Sequence, residues 1–311
     1  MGIFSSLFGG NKSPEENKEK NFDILKYDGI RAMNIGKLTY AIKCFEEATS
    51  IREDLETMQH QANCYTRVNR MDDARSILVR ITELAPEQPL VFQSLASLCY
   101  IQEDYKAMNE ACQKALAIDA DNAATYFLAA KAAIGLQNGI QAIAMLTRAI
   151  VLNDEFVEAY LLRAEVLLTM RQIKDAEADI DKLLEINDED ENALLLKAEI
   201  LATTHAEEQA VELMDKVLAL NPFNQKAYLL KGAYLLAKGE HDAAIGIYNE
   251  ALEINPDFAQ AYHERGRAKL AKGDKQGSME DMKLAIEMAP EQGAAISGEY
   301  NNYEQQRNIP F

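Results

Sequence analysis

Tryptophan is absent from this 311-residue chain, and proline is held to 7 positions and glycine to 15. So little of either excludes a collagen-like or low-complexity chain. A hydrophobic share of 48% is too high for a chain disordered throughout. Cysteine is scarce as well: Cys44, Cys64, Cys99 and Cys112, with no CxxC pair. In a chain of this length that is not a disulfide framework, and the four are expected as small core residues in a reducing compartment. No run approaches the roughly 18 apolar residues of a membrane span. Positive charge is short, with 32 Lys and Arg against 50 Asp and Glu and a net charge of −18. Phosphate backbones are bound by Lys and Arg that displace counterions, so nucleic acid is excluded as a partner. Basic partner surfaces are favoured, mainly through encounter rate.

The recurrent signatures of catalysis are missing too. There is no GxGxxG fingerprint, no GK[ST] loop and no GxSxG elbow. His60, His205, His241 and His263 each lack a second histidine four residues away, which excludes HExxH. The run Asp188-Glu189-Asp190-Glu191 lacks the spacing and the glycine of a calcium loop and reads as a solvated loop. Asp179 and Asp181 read as helix surface. No nucleophile is paired with a base. The expectation is a non-enzymatic protein with no cofactor and no metal.

What the chain does have is a period. Pro222, Pro256 and Pro290 are 34 residues apart. With Gln225 as position 1 of one unit, sliding by 34 keeps a pattern. Position 8 reads Ala62, Ala96, Ala130, Ala164, Ala198, Gly232 and Gly266; position 20 reads Ala74, Met108, Ala142, Ala176, Ala210, Ala244 and Ser278. Position 4 is large (Met58, Phe92, Tyr126, Tyr160, Leu194, Tyr228, Tyr262). An earlier copy fits after a one-residue deletion, with Leu25, Gly29, Gly36, Ala41 and Phe45 in the same roles. Each copy carries two apolar segments, at positions 4, 8 and 11 and at 20, 24 and 27, and such spacings put each set on one helical face. Small residues at 8 and 20 let two helices approach closely. Gly36, Gly239, Gly273 or Asn69 supplies a left-handed residue between them.

These residues resemble the tetratricopeptide repeat, and the resemblance runs through eight copies, residues 22–290. It implies an all-α fold, a right-handed α-solenoid superhelix of tandem helix–turn–helix repeats that works as a protein–protein interaction scaffold. Residues 1–21 read as an apolar decapeptide and a flexible polar linker. Residues 291–311 read as a capping helix, with Ile296, Tyr300 and Tyr303 on its apolar side, followed by a tail. Met108 at position 20 and Lys269 at position 11 depart from the pattern, and Lys269 suggests that the stacking surface is becoming solvated towards the end.

In this family the first helices line the concave face, with positions 2, 5, 9, 12 and 13 directed into it. Position 5 carries Phe127, Leu161, Leu195 and Leu229 in four successive copies, and position 9 carries Lys131, Glu165 and Glu199. The resemblance therefore implies an apolar groove, lined by these seven residues, for a peptide or helix of a protein partner. Self-association through the same groove is a further use. The leucines at position 6 (Leu128, Leu162, Leu196, Leu230) fit either the groove or packing between neighbouring first helices. The family's clamp for acidic chaperone tails needs Lys at 5 and Asn at 9. The first copy has Lys26 but Ile30, so that specialisation is not expected.

At the start of the chain Ile3, Phe4, Leu7 and Phe8 form one apolar helical face before Gly9-Gly10. Three readings are open: a membrane-surface anchor, a segment that docks on a partner or on the chain's own groove, or a segment without order. The first defines the alternative function, a membrane-peripheral assembly or adaptor factor. Met1-Gly2 and Ser6 also match a short myristoylation pattern. With no basic n-region, the sequence reads as cytoplasmic, at most peripheral to a membrane.

Overall fold

Close approach of two helices, set by the small residues at positions 8 and 20, makes each copy a helix hairpin. A computed structural model describes residues 14–203 and 206–290. Over these residues the chain is all-α and divides into two units, residues 1–159 and 160–311. Unit 1 holds α1 (Pro14–Asn34), α2 (Leu38–Ile51), α3 (Leu55–Arg67), α4 (Met71–Leu84), α5 (Pro89–Ile101), α6 (Tyr105–Ile118), α7 (Ala123–Gly135) and α8 (Gly139–Leu152). The boundary falls in the first turn of α9 (Val157–Thr169), and unit 2 continues with α10 (Ile173–Ile186), α11 (Glu191–Thr203), α12 (Glu207–Leu220), α13 (Gln225–Ala237), α14 (His241–Ile254), α15 (Ala259–Lys272) and α16 (Lys275–Met288). Odd-numbered helices are the first helices of the copies and even-numbered ones the second. No described helix is long and apolar enough to cross a membrane. Ile3, Phe4, Leu7 and Phe8, His205 and the expected capping helix lie outside the described residues.

One boundary differs from expectation. The polar stretch read as a linker to residue 21 is helical from Pro14, and α1 runs for 21 residues. Proline suits the first helical turn, where its missing N–H has no partner to lose. Glu15 and Glu16 face the positive end of the helix dipole. The extension is tied down as well: Arg52 bonds Glu19 at 2.8 Å and lies 3.9 Å over the Phe22 ring.

The hairpin turn is the same in every copy. The N–H of position 16 donates to the carbonyl of position 11, from Lys37 to Ala32 through Asp274 to Lys269, at 2.8–3.1 Å. In the seven copies whose position 15 is described, that closes a helix end around a left-handed residue. Gly36, Gly239 and Gly273 fill it as expected, with φ of 76°, 78° and 99°. Asn69 does so at 62°, but so do Glu103, Gln137 and Arg171, at 56–59°. The two hydrogen-bonded helix ends thus impose the conformation whatever the side chain. A non-glycine residue there costs about 1–2 kcal/mol, and a glycine loses about 0.5–1 kcal/mol more backbone entropy on folding. Arg171→Gly is therefore expected to raise stability by about 0.5–1 kcal/mol, read as a higher urea midpoint at unchanged slope.

The cores form between position 8 of the first helix and positions 20 and 24 of the second. Where position 8 is alanine, position 24 is Leu78, Cys112, Leu146, Ile180 or Met214. Where position 8 is glycine, its partner is Phe45, Tyr248 or Met282. At Gly29–Phe45 and Gly232–Tyr248 the volume lost on one helix is filled from the other, as close packing demands. Met108 is fully buried at position 20 of the third copy, in one core with the small Ala96 and Cys99 of the facing helix. Fully buried side chains such as Phe45, Leu146 and Ile180 each contribute about 2 kcal/mol of apolar burial. All four cysteines are buried and free, and burial pushes the Cys112 thiol up to about 12.

Candidate partner-binding faces

Successive first helices adjoin one another, α1 with α3 and α5 with α7 in unit 1, and α11 with α13 and α13 with α15 in unit 2. Each unit therefore has one face made of first helices. In unit 1 that face is open. Leu90 is 67% exposed, and Tyr100 and Ile101 are also exposed. Between α3 and α5 lies a cavity of about 290 Å³, floored by Ala62, Leu78 and Leu98 and rimmed by Gln59, Asn63, Ser94 and Ser97. The serine hydroxyls bond back to their own helix, Ser94 to the Leu90 carbonyl and Ser97 to that of Gln93, both at 2.9 Å. Between α5 and α7, the Lys131 ammonium lies 4.4 Å from the Tyr100 ring centroid and 5.4 Å from that of Phe127. Phe127 in turn packs against Phe156 at 5.1 Å. Two of the seven expected groove residues, Phe127 and Lys131, thus belong to this face. The polar rim was not anticipated, because exposed Gln, Asn and Ser carry no spacing that separates them from ordinary helix surface.

In unit 2 the same positions are largely spent on packing. Leu195 corrects the expectation of a solvent-facing anchor: it is fully buried, in one core with Leu194, Val217 and Ala227. Val217 comes from the second helix of its own copy and Ala227 from the next first helix, so α11 is wedged between them. Leu196 is buried too, and Leu230 packs against the Leu194–Leu195 core. Leu229 is half-buried against Tyr228, Ile247 and Tyr248. Leu161 is half-buried, and Glu165 is exposed. Glu199 is engaged by Lys226 at 3.6 Å. In the last copy Glu264 accepts from Arg267 at 2.8 Å and meets His263 at 3.1 Å. Although burial would raise its carboxyl, these two neighbours pull it below the usual range.

A ladder of ion pairs, also unanticipated, runs through unit 2. Position 7 is basic in four successive copies: Arg163, Lys197, Lys231 and Arg265. Lys197 reaches Asp181 at 2.8 Å and Lys231 reaches Asp215 at 2.5 Å, each 16 residues earlier on the preceding copy. Arg163 grips Asp179 through two bonds of 2.8 and 2.6 Å, 16 residues later in its own copy. Arg265 does both, holding Asn249 at 2.7 Å and Asp281 at 2.9 and 2.7 Å. The bonds from Asp179 and Asp281 hold the Arg163 and Arg265 guanidinium groups above their usual range. Two readings are corrected here. Asp179 is buried rather than surface, although Asp181 is exposed as expected. Lys269 turns to Asp281 at 2.8 Å instead of into solvent. The signal lay in the sequence as a base and an acid 16 residues apart, a distance set by the hairpin rather than by one helix.

The hairpin geometry meets the family's sequence pattern directly. A family model described as TPR repeat matches residues 232–273, and one described as tetratricopeptide repeat matches residues 157–190 and 259–292. The last two segments coincide with the fifth and eighth copies delimited by the 34-residue period. This chain is a tetratricopeptide-repeat protein. Its fold is shared with a tetratricopeptide repeat protein from Parabacteroides merdae ATCC 43184, at TM-score 0.67 and 19% identity over 78% of this chain and 96% of that one. The APC/C hetero-tetramer Cut9-Hcn1 matches at TM-score 0.58 and 13% identity, over 91% of this tetratricopeptide-repeat chain and 56% of that one. The pilF protein of Pseudomonas aeruginosa matches at TM-score 0.56 and 13% identity, over 70% and 99%. No curated protein matches in sequence.

Proposed function

We propose that this tetratricopeptide-repeat protein is a non-enzymatic scaffold that holds a segment of a protein partner on the first-helix face of unit 1. Tetratricopeptide repeats are in general scaffolds for protein–protein interaction. The observation that carries the location is the exposure of Leu90, Tyr100 and Ile101 on α5, with Ile101 lining the polar-rimmed cavity between α3 and α5. Large apolar groups flanked by hydrogen-bonding side chains are what a partner segment needs: pockets for its side chains and amides for its backbone. An extended segment fits a cavity of this size better than a helix, which needs a groove some 10 Å across. The broader apolar groove expected from position 5 narrows to Phe127 on this face, because Leu195 is inside the core.

The double variant Leu90→Glu, Ile101→Glu tests the reading. Both residues are exposed, so its circular dichroism and urea midpoint are expected to match the wild type. Partners recovered by affinity purification and mass spectrometry are expected to drop at least tenfold, since two charges would face apolar side chains. Equal recovery with both proteins would remove this face from consideration.

A further inference from the structure

Among the described residues of unit 1, three cations are buried or half-buried: Lys26, Arg75 and Lys131. Taking an ammonium or guanidinium out of water is costly unless an anion accompanies it. Lys26 has two, Asp54 at 3.0 Å and Glu56 at 2.5 Å. Arg75 has Asp104 at 2.8 Å. Lys131 has none among the described residues; its ammonium rests only against the rings of Tyr100 and Phe127. The rings hold it by cation–π attraction but carry no negative charge to neutralise it. Along the same face, the side-chain amides of Gln59 and Asn63 rim the cavity, each able to donate and accept.

On the reading that unit 1 holds a partner segment, we infer that this segment carries an acidic side chain whose carboxylate pairs with Lys131 between Tyr100 and Phe127. The carboxylate supplies the anion that the other two buried cations of unit 1 already have. The methylenes of a glutamate lie against the aromatic rings while its oxygens meet the ammonium. A side-chain carboxylate fits better than a chain terminus. Terminal carboxylates are captured by converging backbone N–H groups, and the surroundings of Lys131 are aromatic carbon.

The test uses the purified full chain, immobilised, and four pools of heptapeptides randomised over Leu, Tyr, Ser and Ala around a fixed central residue. Three pools are acetylated and amidated, with Glu, Gln or Lys at the centre. The fourth has central Gln and a free C-terminal carboxylate. Bound peptides are quantified by mass spectrometry. Glu-centred peptides are expected to be enriched about tenfold over Gln-centred ones, the worth of one charge-assisted bond. Lys131→Gln is expected to erase that enrichment while still retaining peptides. Equal retention of the Glu and Gln pools, with both lost on Leu90→Glu, Ile101→Glu, would overturn the acidic-side-chain inference and leave the face standing. Glu enrichment that survives Lys131→Gln would overturn it too, as would enrichment of the free-carboxylate pool over the amidated ones. Retention of no pool above blank resin would defeat the proposed face itself.

Discussion

Asp281→Ala is expected to destabilise the last copy by about 3 kcal/mol, the usual cost of stripping the counterion from a buried pair. Asp281 is only 3% exposed and is shared by Arg265 at 2.7 Å and Lys269 at 2.8 Å. Removing it leaves two cations, at 16% and 21% side-chain exposure, facing each other without an anion. Lys269 can swing out on its flexible stem; Arg265 is anchored by Asn249 and cannot do so as freely. A copy at the end of a repeat array can open on its own, so a single global midpoint is the wrong measure of its loss. Native-state hydrogen exchange is the right one. Amides of α15 and α16 should exchange roughly a hundredfold faster, while those of α13 change little. Asp281→Asn keeps a hydrogen-bond acceptor and should recover part of the loss. An unchanged exchange rate in α15 and α16 would mean that the pair is as dispensable as a surface salt bridge.

The architecture was legible because it rests on steric complementarity that recurs. Positions 8, 20 and 24 must fit one another in every copy, so their sizes repeat every 34 residues and reveal the hairpin before any coordinates are seen. Exposure was less legible. Leu195 and Phe127 occupy the same position of the repeat and look alike as symbols, yet one is walled in by Val217 and Ala227 and the other is half-open beside Lys131. What decides between them lies on neighbouring helices, which a single column does not contain. Charge was legible in number and not in place. A surplus of acid said nothing of Asp179 being buried under Arg163, because an exposed and a buried aspartate have the same spacing on their own helix. The left-handed residues Glu103, Gln137 and Arg171 were hidden for the opposite reason: backbone hydrogen bonds fix their conformation, so the side chain carries no signal.

The complementarity of positions 8 and 24 makes its own demand, and Gly232 is where it should be felt most. A β-carbon there would stand 2.5 Å from Cε1 and 2.6 Å from the hydroxyl oxygen of Tyr248, well inside contact distance. Tyr248 is fully buried and its hydroxyl has no hydrogen-bond partner among the described residues, so none of them draws the ring aside. Alanine should gain about 1 kcal/mol of helix propensity over glycine. Overpacking of a full core outweighs it, and Gly232→Ala is expected to cost a net of about 2 kcal/mol. Tyr248→Leu alone leaves a cavity and should cost about 3 kcal/mol. Together they recreate the Ala–Leu pair found at Ala130 and Leu146, and the double variant should lose only about 1 kcal/mol. The resulting coupling of about 4 kcal/mol would lie above the roughly 0.5–3 kcal/mol usual for two residues in contact. Additive losses in urea denaturation would show that the alternation of glycine with large partners and alanine with smaller ones is accidental, and that each copy packs by local adjustment instead.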